Sequence, residues 1–147
     1  MPGTPYAIAA GFACGAAVSM TPFPGFHFLI SALFAWFLRG SIVVAAIGTV
    51  IGNPWTFPFI WVWLFNFGNW ILGTSGHIAG HAVTMGYLWD HPLEVLLPMM
   101  VGSVPTALVT WFAFYWPIKR MVAAHQNGRR TRLASAADRF REGRVAK

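Results

Sequence analysis

The chain has 147 residues, enough for one domain with a tail, and 56% of them are apolar against only 10% charged. Soluble domains carry roughly 25% charged residues, whereas the only Arg, Lys, Asp or Glu ahead of Pro117 are Arg39, Asp90 and Glu94. That excludes a water-soluble globular surface for most of the chain and predicts residence in a bilayer.

The formal net charge of +6 sits at one end: every Lys and Arg except Arg39 follows Pro117. Positive residues beside a membrane segment stay in the cytoplasm, which predicts a cytoplasmic C-terminus. The expected partners of this tail are membrane lipids, through their anionic headgroups. No motif for base recognition accompanies it, so nucleic acid is not expected. No basic stretch precedes the first apolar run, which argues against a cleavable signal peptide. Cys14 is the single cysteine. It allows no intrachain disulfide and reads as a small buried apolar side chain.

In chain order, the apolar runs 6–20, 26–38 and 42–51 fall short of the roughly 20 helical residues that cross a bilayer, and 57–73 nearly suffices. Two breaks resemble each other: "GAAVSMTPFPGFHF" (15–28) and "GTVIGNPWTFPF" (48–59). Each passes from glycine through a small polar residue and two prolines into aromatics. A break inside apolar sequence frees backbone groups that hydrocarbon cannot satisfy, so it must be buried in protein or line a hydrated cavity. Ser19 and Thr21 at the first break, and Asn53 and Thr56 at the second, are suited to partner those groups. The fold expected is an all-α membrane protein: short helices in two Pro/Gly-broken, re-entrant-type hairpins forming an internal repeat (about 10–40 and 42–73), then a longer C-terminal transmembrane helix. "GSVPT" (102–106) is a weaker third echo.

The glycine-rich segment 74–92 reads as interfacial, with Tyr87 and Trp89 at headgroup depth. The segment 93–117 is the transmembrane stretch, interrupted by Pro98 and Pro105. It completes a membrane domain 1–118, ahead of a basic tail 119–147. In that tail "NGRR" (127–130) predicts a turn. Leu133, Ala136, Ala137 and Phe140 then predict a short amphipathic helix on the cytoplasmic membrane face.

Arg39 reads either as an anchor that snorkels to the interface or as a binder of an anionic headgroup or substrate. His27 reads either as a proton relay or anion ligand, or as a hydrogen-bond donor across its hairpin. His77 and His81, at i and i+4, could join His91 in a metal site, but Gly76, Gly80 and Gly86 weaken the helix such a pairing needs. No metal and no cofactor are expected. Nothing resembles a nucleophile–base pair, a phosphate loop or a dinucleotide fingerprint, so an enzyme is not expected.

The residues 11–73 resemble a bacterial inner-membrane family known as domain of unknown function twenty sixty-two. The likeness rests on Gly11-x-x-x-Gly15, the Pro22-x-x-Gly25-x-His27 break, Arg39 and "GNPWTFP" (52–58), the last being the most specific. Where relatives often have asparagine after the Arg-Gly pair, this chain has Ser41. The resemblance implies a multi-pass inner-membrane protein whose relatives sometimes accompany or are fused to glycosyltransferases, and it implies no settled activity.

Two functions follow as expectations. The first is a small carrier or lipid-handling protein. It would bind an anionic or phosphorylated substrate, such as the polyprenyl-phosphate class, at paired broken helices lined by Ser19, Thr21, Asn53 and Thr56, with His27 and Arg39 supplying positive charge. A chain this short would need a homo-oligomer to enclose a path. The second is a non-catalytic anchor or scaffold for a partner such as a glycosyltransferase, with Gly11, Gly15, Ala16 and Gly48 mediating close helix packing.

Overall fold

The structure is a computed structural model that describes residues 3–23, 25–74 and 92–145; for 138 and 140–145 it describes the backbone alone. The described residues form five α-helices and no strand: α1 (Pro5–Val18), α2 (His27–Phe37), α3 (Ile42–Gly48) with a 3-10 turn (Thr49–Ile51), α4 (Phe57–Leu72) and α5 (Pro92–Val145). Local chemistry sets several ends. The Thr4 hydroxyl accepts from Ala7 N at 3.1 Å ahead of Pro5 in the first turn of α1. Ser41 accepts from Val44 N in the same way at α3. Helix α4 stops at Gly73, whose φ of 70° turns the chain left-handed.

Helix α5 is the spine. Helix α1 runs antiparallel to it: Phe12 packs on Phe114, Tyr6 on Tyr115, and the Gln126 amide donates to Gly3 O at 2.9 Å. Helix α4 is antiparallel to α5 as well, but along an earlier stretch. There the Trp63 indole donates to Thr106 Oγ1 at 3.3 Å, and Gly68 lies on Pro98 and Gly102. Helices α1 and α4 make no contact along their sides. They lie in line, one after the other, along α5.

Helix α2 folds back on α1, so that the Tyr6 hydroxyl donates to Leu38 O at 2.9 Å. Helix α3 then runs parallel to α1. Gly11 meets Ser41, Gly15 meets Ala45 and Gly48, and Gly48 meets the carbonyl of Phe12, all backbone to backbone. A Cβ on Gly15 would fall 2.8 Å from the Gly48 Cα, so only glycine permits this approach. The small residues therefore pack helices within the chain. Two apolar clusters fill the interior: Leu64, Phe65, Val95 and Met99 between α4 and α5, and Cys14, Ala35 and Ala45 with Leu38 and Trp111 between α1, α2, α3 and α5.

Three expectations are corrected. "NGRR" is no turn and no separate amphipathic helix follows it, because α5 is helical without interruption over 54 residues, about 80 Å. "GSVPT" is not a break either: Ser103 and Thr106 turn their hydroxyls back to Met100 O and Gly102 O within the helix. Pro98, Pro105 and Pro117 all sit inside α5. Finally, the two broken units are not equivalent. The first break reverses the chain into the α1–α2 pair, whereas α3 and α4 make no contact and the chain runs onward across the second.

Helix α5 is the one described helix long and apolar enough to cross a membrane; α1, α2, α4 and the segment Ile42–Ile51 are shorter apolar helices. Large apolar side chains cover the outside, with Trp55 86% and Phe37 76% exposed. Patches this extensive mark interaction surfaces, with protein or with membrane.

Candidate functional site

The two breaks meet. Ser19, fully buried at the C-terminus of α1, brings its Oγ to 3.0 Å from Gly15 O and 3.2 Å from Thr49 O, the latter thirty residues away on the 3-10 turn. Gly52, which opens the second break, lies so close that a Cβ there would stand 2.8 Å from the Ser19 Cβ. At the far ends of the breaks the His27 ring, first in α2, packs 5.2 Å from the ring of Phe57, first in α4.

The polar side chains mostly serve the chain's own freed backbone. Thr21 Oγ1 donates to Val18 O at 2.7 Å, and Thr49 Oγ1 to Ala46 O at 2.6 Å. Asn53 Oδ1 accepts from Trp55 N and Thr56 N at 2.9 and 3.0 Å. Thr56 Oγ1 accepts from Asn53 N at 3.0 Å and donates to Ile51 O at 2.7 Å, closing a reciprocal Asn–Thr clasp over "NPWT". Of these carbonyls, Gly15 O, Val18 O and Thr49 O also accept a backbone N–H, from Ser19, Thr21 and Gly52, so the hydroxyls there add a second donor. His27 is held more loosely: buried at 5% exposure, it has its Nε2 3.5 Å from Thr21 O.

Two further features of this centre escape a reading of the sequence. Helices α2 and α4 both begin here and leave in opposite directions, and no side chain caps the first turn of either. Their positive dipole ends therefore converge. One turn into α4, the buried indole N–H of Trp61 has no hydrogen-bond partner among the described residues; the Trp111 indole has only the weakly accepting Cys14 sulfur beside it. No sequence signal separated these two tryptophans from the others, because burial of a single N–H depends on the packing around it.

Arg39 does not join this centre. It lies exposed beyond the C-terminus of α2, about 16 Å of helix away from His27. It therefore supplies no charge to the meeting of the breaks. The structure brings Ser19, Thr21 and His27 together with Asn53 and Thr56, and leaves Arg39 at the other end of the α1–α2 pair. His77, His81 and His91, like Tyr87 and Trp89, lie outside the described residues. Among the described residues no three His, Cys, Asp or Glu cluster as metal ligands.

A family model described as "Uncharacterized protein conserved in bacteria (DUF2062)" matches residues 1–131. The chain belongs to this family. The match takes in α1 to α4 and most of α5, so the DUF2062 unit comprises both breaks, their meeting point and the spine against which they pack. It extends well past the residues 11–73 that carry the resemblance in the sequence. No curated protein and no solved structure matches the chain.

Proposed function

We propose that this DUF2062 protein is an integral protein of the bacterial inner membrane that binds a small anionic or phosphorylated substrate where its two breaks meet, as a carrier or lipid-handling protein. The observation that carries the reading is the convergence of two helix N-termini without side-chain caps, α2 and α4, on one centre at the buried His27. Opposed half-helices with their N-termini aimed inward suit an anion held away from water, because backbone dipoles then replace part of its hydration.

Lengths and charges support the membrane placement proposed. From 93 to 117, α5 spans about 37 Å, more than the roughly 30 Å of hydrocarbon. Helices α3 and α4, joined through the second break, form one discontinuous crossing. The α1–α2 pair, whose longer arm is about 21 Å, enters and leaves on one side. In this arrangement Gly3, Arg39 and Lys119 share one end and Glu94 lies at the other, and the positive-inside rule favours the cytoplasm for the first.

A second reading, a non-catalytic anchor for a partner such as an envelope glycosyltransferase, is favoured by one observation. The hydroxyls of Ser19, Thr21 and Thr56 and the Asn53 amide are already engaged by backbone carbonyls and N–H groups. Cysteine accessibility separates the two. In a Cys14→Ala background, Thr21→Cys and Thr56→Cys are treated with a small charged thiol reagent from each side of the membrane. The carrier reading expects both positions to label and phosphorylated lipid to protect them. If neither labels from either side, the breaks are sealed packing and the anchor reading stands.

A further inference from the structure

Arg39 and the adjacent pair Lys119-Arg120, some eighty residues apart in sequence, are linked through Tyr6 where it meets α5. The Tyr6 ring stands edge-on to Tyr115 at 6.1 Å, while its hydroxyl holds Leu38 O, the residue before Arg39. On α5 the Lys119 Nζ lies 5.3 Å from the centre of the Tyr115 ring, and the Arg120 guanidinium lies 4.7 Å from that of Trp116. Tyr6 thus joins the α2–α3 link, which carries Arg39, to the stretch of α5 that carries Lys119 and Arg120. Among the described residues no carboxylate pairs with any of the three.

Arg39 carries a second signal. Its φ of 54° is the left-handed conformation, and it is the one described residue other than glycine that adopts it. Glycine is the usual occupant of such a position, and Gly40 is its neighbour. The link is nevertheless fixed on both sides: Gly40 N donates to Ala35 O at 2.7 Å and Ser41 N to Ala7 O at 2.8 Å. A strained backbone held this firmly, presenting an exposed guanidinium with no carboxylate partner among the described residues, points to a task for the side chain.

We infer that Arg39, Lys119 and Arg120 form a collar that binds the phosphate of an anionic glycerophospholipid headgroup. The charge is complementary, and a guanidinium can take two phosphate oxygens at once. The aromatic rings beneath Lys119 and Arg120 are of the kind that sit at headgroup depth. Trp36 and Phe37, 68% and 76% exposed just ahead of Arg39, offer an apolar wall for an acyl chain. The collar rests on the membrane placement given above and is separate from the substrate centre at the breaks.

The test uses the full chain in uncharged detergent, with thermal unfolding followed as phosphatidylglycerol or phosphatidylcholine is added. Phosphatidylglycerol is expected to raise the unfolding midpoint and phosphatidylcholine is not. An Arg39→Gly/Lys119→Gln double variant is expected to bind phosphatidylglycerol at least tenfold more weakly. Its lipid-free midpoint should not fall, since glycine accepts the left-handed φ. Arg39→Lys with Lys119 intact retains the charge and is expected to keep most of the effect. The proposal is overturned if the two lipids act alike, or if inorganic phosphate alone reproduces the effect. It is also overturned if Arg129→Gln/Arg130→Gln/Arg132→Gln removes the response while the double variant keeps it. Carbonate washing of membranes keeps the two readings apart. A chain that stays in the bilayer without preferring phosphatidylglycerol refutes the collar alone, whereas a chain released by the wash refutes the membrane placement.

Discussion

Replacing Gly15 by alanine tests the closest contact in the fold. Its Cβ would collide with Ala45 O and with the Gly48 Cα, 2.8 Å away, and both belong to backbone. No side chain can swing aside, so α1 and α3 must separate by about 1 Å to reach ordinary contact distance. Alanine favours a helix over glycine by about 1 kcal/mol. Against this stand overpacking of about 1–3 kcal/mol and the loss of the Ser19–Thr49 hydrogen bond, about 1 kcal/mol, as the helices part. The net expectation is a destabilisation of about 2 kcal/mol. The same substitution at Gly128, within α5 and with nothing inside 4 Å, keeps only the helical gain and should stabilise by about 1 kcal/mol. Reversible unfolding in mixed detergent micelles, with both variants measured beside the parent chain, reads the difference of about 3 kcal/mol. Equal effects at the two glycines would falsify the backbone contact between α1 and α3, and with it the route that carries Ser19 to Thr49.

Three further outcomes are expected from the same measurement. Ser19→Ala removes the buried hydroxyl shared by Gly15 O and Thr49 O and should cost about 1–2 kcal/mol; a neutral result would mean that the backbone N–H groups of Ser19 and Gly52 satisfy those carbonyls by themselves. Asn53→Ala opens the Asn–Thr clasp, leaving Trp55 N without its acceptor and Thr56 N with the Asn53 carbonyl alone, and should cost about 1–2 kcal/mol, whereas Asn53→Asp, which keeps the acceptor, should cost less. Gly68→Ala forces α4 away from the Pro98 carbonyl and should be more disruptive than any other single alanine on α4; a stable variant would show that α4 does not lie on α5 as described.

What the sequence by itself determined is the apolar character of the chain and its punctuation. With only three Arg, Lys, Asp or Glu ahead of Pro117 the composition predicts a bilayer, and hydrophobicity is a sum over residues that needs no knowledge of contacts. The breaks at 19–26 and 52–56 were legible because proline and glycine act locally, and so were their partners. Thr21 caps Val18 three residues away and Asn53 clasps Thr56 at the same spacing, so the chemistry lies within one turn of chain. Local signals also misled: Asn127-Gly128 reads as a turn, yet α5 passes through it unbroken. The relation between distant segments was decided by tertiary structure alone. Two breaks of similar sequence send the chain in different directions because Gly11, Gly15 and Gly48 let α3 lie against α1, while Gly68 and Gly102 draw α4 onto α5. The meeting of His27 with Phe57, the distance of Arg39 from both, and its nearness to Lys119 through Tyr6 all depend on which surfaces fit closely enough to exclude everything else. Such fit belongs to pairs of helices and is encoded by no single stretch of residues.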